Sequence, residues 1–297
     1  MTGFTAHPTR RAALALIAAA GFARPAHAAG MRVATVDWSV LETLLALGLP
    51  PVAAPELRQF REIAVEPAVP EQVTDLGLRG TVNFELLLLS RPDLILSSSF
   101  YVGSEPRLRR IAPVESFSVY APGRPPYEPA VAMTRGIGER LGVAAVAERY
   151  IAETEAEFAA LRDRLKSLAA RSVIPVNLGD ARHFRVFGDD SLFGEVLKRL
   201  GLANAWTDHT SYSAMAPIGL EALARVPEAH IALIPPVPPG AMETLARSTF
   251  WNALPNLREG RLLRIGSINP YGGLPAARRF ARLLISALDR HGATPHG

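Results

Sequence analysis

Beyond residue 30 the apolar positions switch between a strand-like and a helix-like period, and the switch recurs along the chain. Residues 31–36 alternate loosely, as a half-buried strand does, and 38–47 continue with Leu41, Leu44 and Leu45 at helical spacing. Gly48 ends that helix and Pro50-Pro51 prevents its return, after which 52–54 begin another strand. A loop-rich, acidic, proline-punctuated stretch runs to Pro70. Next comes GLRGTVNFELLLLSRPDLILSSSFY at 77–101. It places Arg79 in a loop, then a helix stopped by Arg91-Pro92, then a buried strand at 93–96 that leads to Tyr101.

From 130 to 169 the chain reads as helical, with Gly142 as the joint. Its second part carries Ile151, Phe158, Leu161, Leu165 and Leu168 on one face and Glu and Arg on the other. At 1.5 Å per residue, 144–169 spans roughly 39 Å, enough to brace two lobes. The β-α alternation then resumes. Strands are expected at 174–178, 184–187, 231–234 and 262–265, and helices at 191–200, 220–225, 241–254 and 275–288. There is no close sequence repeat, only a repeated architecture. It predicts two α/β lobes joined by one long helix, with a cleft between them.

The first residues change the picture of where this protein works. Thr9-Arg10-Arg11, an alanine-rich apolar run at 12–22 and Ala26-His27-Ala28 form an export signal with an A-x-A cleavage site, so 1–28 are expected to be removed. The paired arginines favour the twin-arginine route. Removing Arg10, Arg11 and Arg24 takes the formal charge from +4 to +1, which leaves no basic face for nucleic acid. No apolar run approaches the ~20 residues needed to span a bilayer. The absence of cysteine excludes disulfides, thiolate metal sites, a cysteine nucleophile and a lipidated amino terminus. The expectation is a soluble, monomeric periplasmic protein without a lipid anchor.

Enzymatic chemistry finds little support. Gly136, Gly138 and Gly142 imitate a dinucleotide fingerprint, but with the wrong spacing and inside a helix, where small residues serve helix contacts. His183, His209, His230, His291 and His296 lack ligand spacing. Asp189-Asp190 and Glu153, Glu155 and Glu157 read as a turn and a solvated helix face. Ser211 or Ser213 beside His209 is the one candidate nucleophile, without an acid to orient the base. No catalytic residue, protein-held metal or cofactor is expected. Taken alone, Arg79 reads first as a surface charge and Tyr101 as strand-end packing. The competing reading places both at the ligand crevice that α/β units form at the carboxyl ends of their strands.

VDWSVLETLLALGLPPVA at 36–53, GLRGTVNFELLLLSRPDLIL at 77–96, FRVFGDDSLFGEVLKRLGLANAW at 184–206 and FWNALPNLREGRLLRI at 250–265 together resemble the ferric hydroxamate-binding periplasmic proteins of the FhuD type. These are substrate-binding components of ABC importers. The resemblance implies a class III periplasmic binding protein: lobes at 29–143 and 171–297, a rigid bridging helix at 144–170, and a shallow cleft for an iron(III)-siderophore complex. The siderophore's six oxygens satisfy the hard iron(III) ion, so the protein need supply no metal ligand. It also implies that Arg79 and Tyr101 hydrogen-bond the hydroxamate oxygens and that Tyr271 lines the cleft. The chain departs from the pattern at Ser213 and Asn269, where the family has tryptophans, at Ile63, a third such position, and at Arg185, where an apolar residue is expected. Tyr212 and Trp38 are candidates to compensate, with core packing the first reading of Trp38. Glu105 and Glu221, one per lobe, match the acidic residues that dock on the inner-membrane permease of the importer, which works with its ATPase. The alternatives are a heme or cobalamin binder, distinguished by a visible absorption spectrum, and a periplasmic siderophore hydrolase.

Overall fold

The first apolar stretch forms strand β1 (Val33–Thr35), and Asp37 then opens helix α1 (Trp38–Ala46). The Asp37 carboxylate accepts the backbone N–H groups of Ser39 at 2.7 Å and Val40 at 3.1 Å. Such a cap meets amides that the first helical turn leaves orphaned. The computed structural model describes residues 30–121, 123–166, 172–208, 210 and 218–293. The expected signal at 1–28 lies outside them.

The amino-terminal lobe continues through β2 (Ala53–Ala54), α2 (Leu57–Ile63), β3 (Thr74–Asp75), α3 (Phe84–Leu89), β4 (Leu94–Ser97), α4 (Glu105–Leu108) and β5 (Val114–Ser116). Its sheet has the order β3-β2-β1-β4-β5, with every pair parallel. Ala34 of β1 sits opposite Ala53 on one side and Ile95 on the other. The chain therefore runs outward through β2 and β3 and returns across β1 to β4. That reversal splays the connections apart at the carboxyl ends of β1 and β4, the place where open α/β sheets form their binding crevice.

Two helices follow, α5 (Tyr127–Arg140) and α6 (Ala144–Leu165), jointed at Gly142 with φ +72°. A Cβ on Gly138 would run into Ala147, so that glycine lets the two helices pack, while Gly136 faces Phe117 and Gly142 forms the joint. The 22 residues of α6 span ~33 Å, and the expected helical positions 167–170 lie outside the described residues. The second lobe comprises β6 (Ser172–Leu178), β7 (His183–Val186), α7 (Leu192–Leu200), β8 (Ala203–Asn204), β9 (Ile218–Gly219), β10 (His230–Leu233), α8 (Ala241–Ala246), α9 (Thr249–Ala253), α10 (Pro255–Arg258), β11 (Leu262–Arg264) and α11 (Leu274–Ala293). Its sheet order is β11-β10-β6-β7-β9, with β7 antiparallel to both neighbours and β8 pairing β6.

Three differences from the sequence pattern have local causes. The stretch assigned to loop before Pro70 contains α2, whose Leu57 and Phe60 are buried against Trp38 and Leu41. The helix expected at 241–254 is two, because the Ser248 hydroxyl accepts the Trp251 N–H at 3.2 Å and starts α9 afresh. The helix at 220–225 is a 3₁₀ turn.

One apolar core runs through both lobes. It contains Val40 and Leu44 of α1, Ile137 of α5, Phe158 of α6, Leu197 of α7 and Leu284 of α11. Phe193 sits at its centre, with ring centres 4.4 Å from Phe280 and 4.9 Å from Phe187. Glu157 of α6 pairs with Arg278 at 2.6 Å and with Arg282 at 3.2 Å. Glu66, from the first lobe, pairs with Arg279 at 3.0 Å and also with Arg282. The last helix is thus fastened to the first lobe as well as to α6, and separating the lobes would expose a shared core.

Candidate functional site

At the β1/β4 switch point, the Asp37 carboxylate that caps α1 also accepts the Ser98 hydroxyl at 2.7 Å, tying the ends of the two strands together. Ser98 leads into the 3₁₀ turn Ser99–Ser104, which carries Tyr101 with φ −112° and ψ 15°. Arg79 opens another 3₁₀ turn, Arg79–Thr81, after β3. The two residues are separated in the chain by α3 and β4. Because β3 and β4 run in the same sense, both emerge at one edge of the sheet.

Arg79 is held on two sides. Its Nε donates to Glu56 Oε2 at 2.6 Å, and the guanidinium carbon lies 3.7 Å from the centre of the Trp38 ring. Its Nη1 and Nη2 have no hydrogen-bond partner among the described residues, and its side chain is 33% exposed. Glu56 sits at φ 51° and ψ 44°, a left-handed conformation that costs a glutamate about 1 kcal/mol. It is kept there by its N–H bond to the Gly77 carbonyl at 2.8 Å and by the following Leu57 N–H, which donates to Asp75 Oδ2 at 3.1 Å.

Burial pushes the Tyr101 phenol well above the usual tyrosine range, with the Asp37 charge, and then that of Glu56, adding to it against the opposing pull of Arg79. The phenol therefore stays protonated and acts as a donor. Beside it an aromatic wall begins. Phe100, 52% exposed, stacks on Tyr120 at 6.1 Å, and Tyr120 meets Tyr271 edge-on at 5.6 Å. The Tyr120 hydroxyl donates to the Gly272 carbonyl at 2.7 Å, so the wall crosses from the first lobe to the loop before α11.

That loop is pinned from below by Glu42, a carboxylate buried on α1. Its oxygens accept from Asn269 Nδ2 at 2.8 Å and from the Gly273 N–H at 3.1 Å, with no cation paired to it among the described residues. Burial, reinforced by Asp37, pushes Glu42 up to about 8 against the pull of those donors.

Of the residues expected to touch ligand, Arg79, Tyr101 and Tyr271 come to this edge and wall. Asn269 requires correction. It is 2% exposed, with its amide spent on Glu42 and its carbonyl on the Tyr271 N–H at 3.1 Å, so it anchors the loop instead of lining the cleft. Trp38 is likewise buried, donating from Nε1 to the Pro55 carbonyl at 3.0 Å and meeting Phe60 edge-on, and it supports Arg79 from beneath. Arg185 is exposed on β7, where its neighbours Phe184 and Val186 face the second lobe's own core, and no contact joins it to Arg79, Tyr101 or Tyr271 among the described residues. Tyr212 and Ser213, with His209 and Ser211, lie outside the described residues. Glu105 is held by Arg109, whose Nε is 2.8 Å away, and Glu221 is exposed at the start of the 220–225 turn.

Sequence reasoning missed Asp37, Glu56, Glu42, Phe100 and Tyr120. Glu42 had a readable signal, a charge among Val40, Leu41, Leu44 and Leu45 on a short helix. Glu56 had none, since its role depends on the left-handed turn that aims it at Arg79. Among the described residues no group of three His, Asp or Glu side chains could hold a metal ion, and no helix is long and apolar enough to cross a membrane.

The periplasmic binding protein family profile matches residues 33–268. The chain is 31% identical over 266 residues to the iron(3+)-hydroxamate-binding protein FhuD of Escherichia coli (strain K12), covering 89% of this chain and 90% of that protein. Its fold superposes with a TM-score of 0.82, at 26% identity and covering 87% and 97% of the two chains, on the siderophore-binding protein FhuD from Vibrio cholerae bound to Fe3+-Desferal. The periplasmic catecholate-siderophore binding protein VctP, also from Vibrio cholerae, shares the fold with a TM-score of 0.66 at 15% identity, over 88% and 93% of the chains. With its two α/β lobes and a cleft edge at the strand switch point, the chain belongs to the periplasmic binding protein family.

Proposed function

We propose that this protein is the substrate-binding component of an iron-siderophore ABC importer, capturing a ferric hydroxamate complex and delivering it to an inner-membrane permease. The observation that carries this reading is the Arg79–Tyr101 edge. A guanidinium whose two amino groups have no partner among the described residues and a protonated phenol stand together there, beside the exposed aromatic face of Phe100. Hydroxamate oxygens bound to iron(III) carry negative charge, which charge-assisted donors of this kind recognise, and the siderophore's carbon exterior matches an aromatic wall. The protein binds and releases without covalent chemistry, as the substrate-binding proteins of its family do.

The export signal at 1–28 places the mature protein in the periplasm, and Glu105 and Glu221 dock one on each half of the permease. Fluorescence titration with ferrichrome, ferrioxamine B and a ferric catecholate tests the reading. A saturable response to the hydroxamates supports it, and none to any ferric siderophore refutes it. A strong visible spectrum on adding heme or cobalamin would instead favour a porphyrinoid or corrinoid ligand.

A further inference from the structure

We infer that Glu56 is the positioning residue for Arg79 and the element of the site that selects ferric complexes by charge, admitting neutral or cationic ones and rejecting anionic ones. The inference rests on the siderophore-binding reading above. Its geometric half is the clamp on Arg79. Glu56 takes the Nε–H at 2.6 Å while Trp38 covers one face of the guanidinium at 3.7 Å, so the Nη pair is the part left for a ligand. The clamp is built from an unusual backbone, since Glu56 holds a left-handed conformation where a glycine or asparagine is the ordinary choice. Its carboxylate is 13% exposed, well sheltered for a surface glutamate.

The electrostatic half follows from the neighbours. Beside Arg79, Glu56 cancels the guanidinium charge, and the buried Asp37 acts on the same phenol of Tyr101. On its other side Glu56 lines an open depression with Arg58, Glu62 and Asp75, in which carboxylates outnumber cations. This rim of the first lobe offers directed N–H donors without a surplus of positive charge. Three hydroxamates cancel the charge of iron(III), whereas three catecholates leave a trianion. Donors without net charge satisfy the oxygens of the first complex and do not offset the desolvation of the second.

Glu56→Gln keeps an acceptor for the Nε–H and removes the charge. Glu56→Gly removes the clamp while suiting the left-handed backbone, so folding is retained. Affinities of the wild type and both variants are measured for ferrichrome, ferrioxamine B and ferric enterobactin at two salt concentrations. In Glu56→Gln, the affinity for ferric enterobactin relative to that for ferrichrome rises about tenfold, and less at high salt, where screening weakens the effect of the added net positive charge. In Glu56→Gly, ferrichrome binding weakens by about tenfold as the guanidinium loses its anchor. An unchanged ratio of hydroxamate to catecholate affinity in Glu56→Gln, with ferrichrome still bound, overturns the charge role alone. Unchanged ferrichrome affinity in Glu56→Gly overturns the positioning role alone. A wild type that binds no ferric siderophore brings down both this inference and the function beneath it.

Discussion

Replacing Glu42 with glutamine should change how the stability of this protein depends on pH. The carboxylate is 1% exposed, and burial pushes it from the usual 4.5 up to about 8. Between those values the native state retains a proton that the unfolded chain has released. Stability therefore falls as pH rises through the window, with a slope of up to ~1.4 kcal/mol per pH unit. Integrated from pH 5 to pH 8, one such group removes on the order of 3 to 4 kcal/mol. The opposing donors, Asn269 Nδ2 and the Gly273 N–H, do not overcome the loss of solvent, and Asp37 adds like charge. Urea unfolding followed by circular dichroism at pH 5, 6, 7 and 8, in wild type and Glu42→Gln, isolates the effect as the difference between the two proteins. The wild type should lose those few kcal/mol relative to the variant as pH rises. A difference that stays constant over the range, to within about 0.5 kcal/mol, the ordinary scatter between independent sites, would refute the argument that this carboxylate is stranded without a counter-charge.

Three other outcomes follow from the same contacts. Arg79→Ala should weaken ferric hydroxamate binding by more than about tenfold, the loss of one charge-assisted contact, and titration showing undiminished affinity would remove Arg79 from the site. Phe193→Ala opens a cavity beside Phe187 and Phe280, and it should cost about 3 to 5 kcal/mol in denaturant unfolding with one cooperative transition retained; a loss below about 1 kcal/mol would mean that the ring is not central to the core. Glu105→Ala and Glu221→Ala should leave siderophore affinity unchanged and reduce uptake in cells, most in combination, while unchanged uptake by the double variant would exclude them from docking.

The candidate site was only partly legible in the residues. Arg79 and Tyr101 stood out because a β-α-β rhythm carries loop and strand-end residues to a crevice, a rule that depends on element order alone. Asn269 did not follow its position in the family pattern, because its environment is set by Glu42, 227 residues away in the chain. Phe100 and Tyr120 carried no signal in the residues, since it is the fold that stacks them into a wall with Tyr271.

The sequence by itself determined the β-α alternation, the two α/β lobes, the long helix and its joint at Gly142, and it marked Arg79 and Tyr101 as candidates for the cleft. Each follows from local periodicity, turn chemistry or motif order, which are written in near neighbours. Only the tertiary structure decided that Glu56 clamps Arg79 across 23 residues, that Trp38 is a platform instead of a cleft wall, and that the last helix is fastened to the first lobe through Glu66 and Glu42. These depend on which distant side chains share a buried space, and the free energy of a charge or ring there is set by partners that no local pattern specifies.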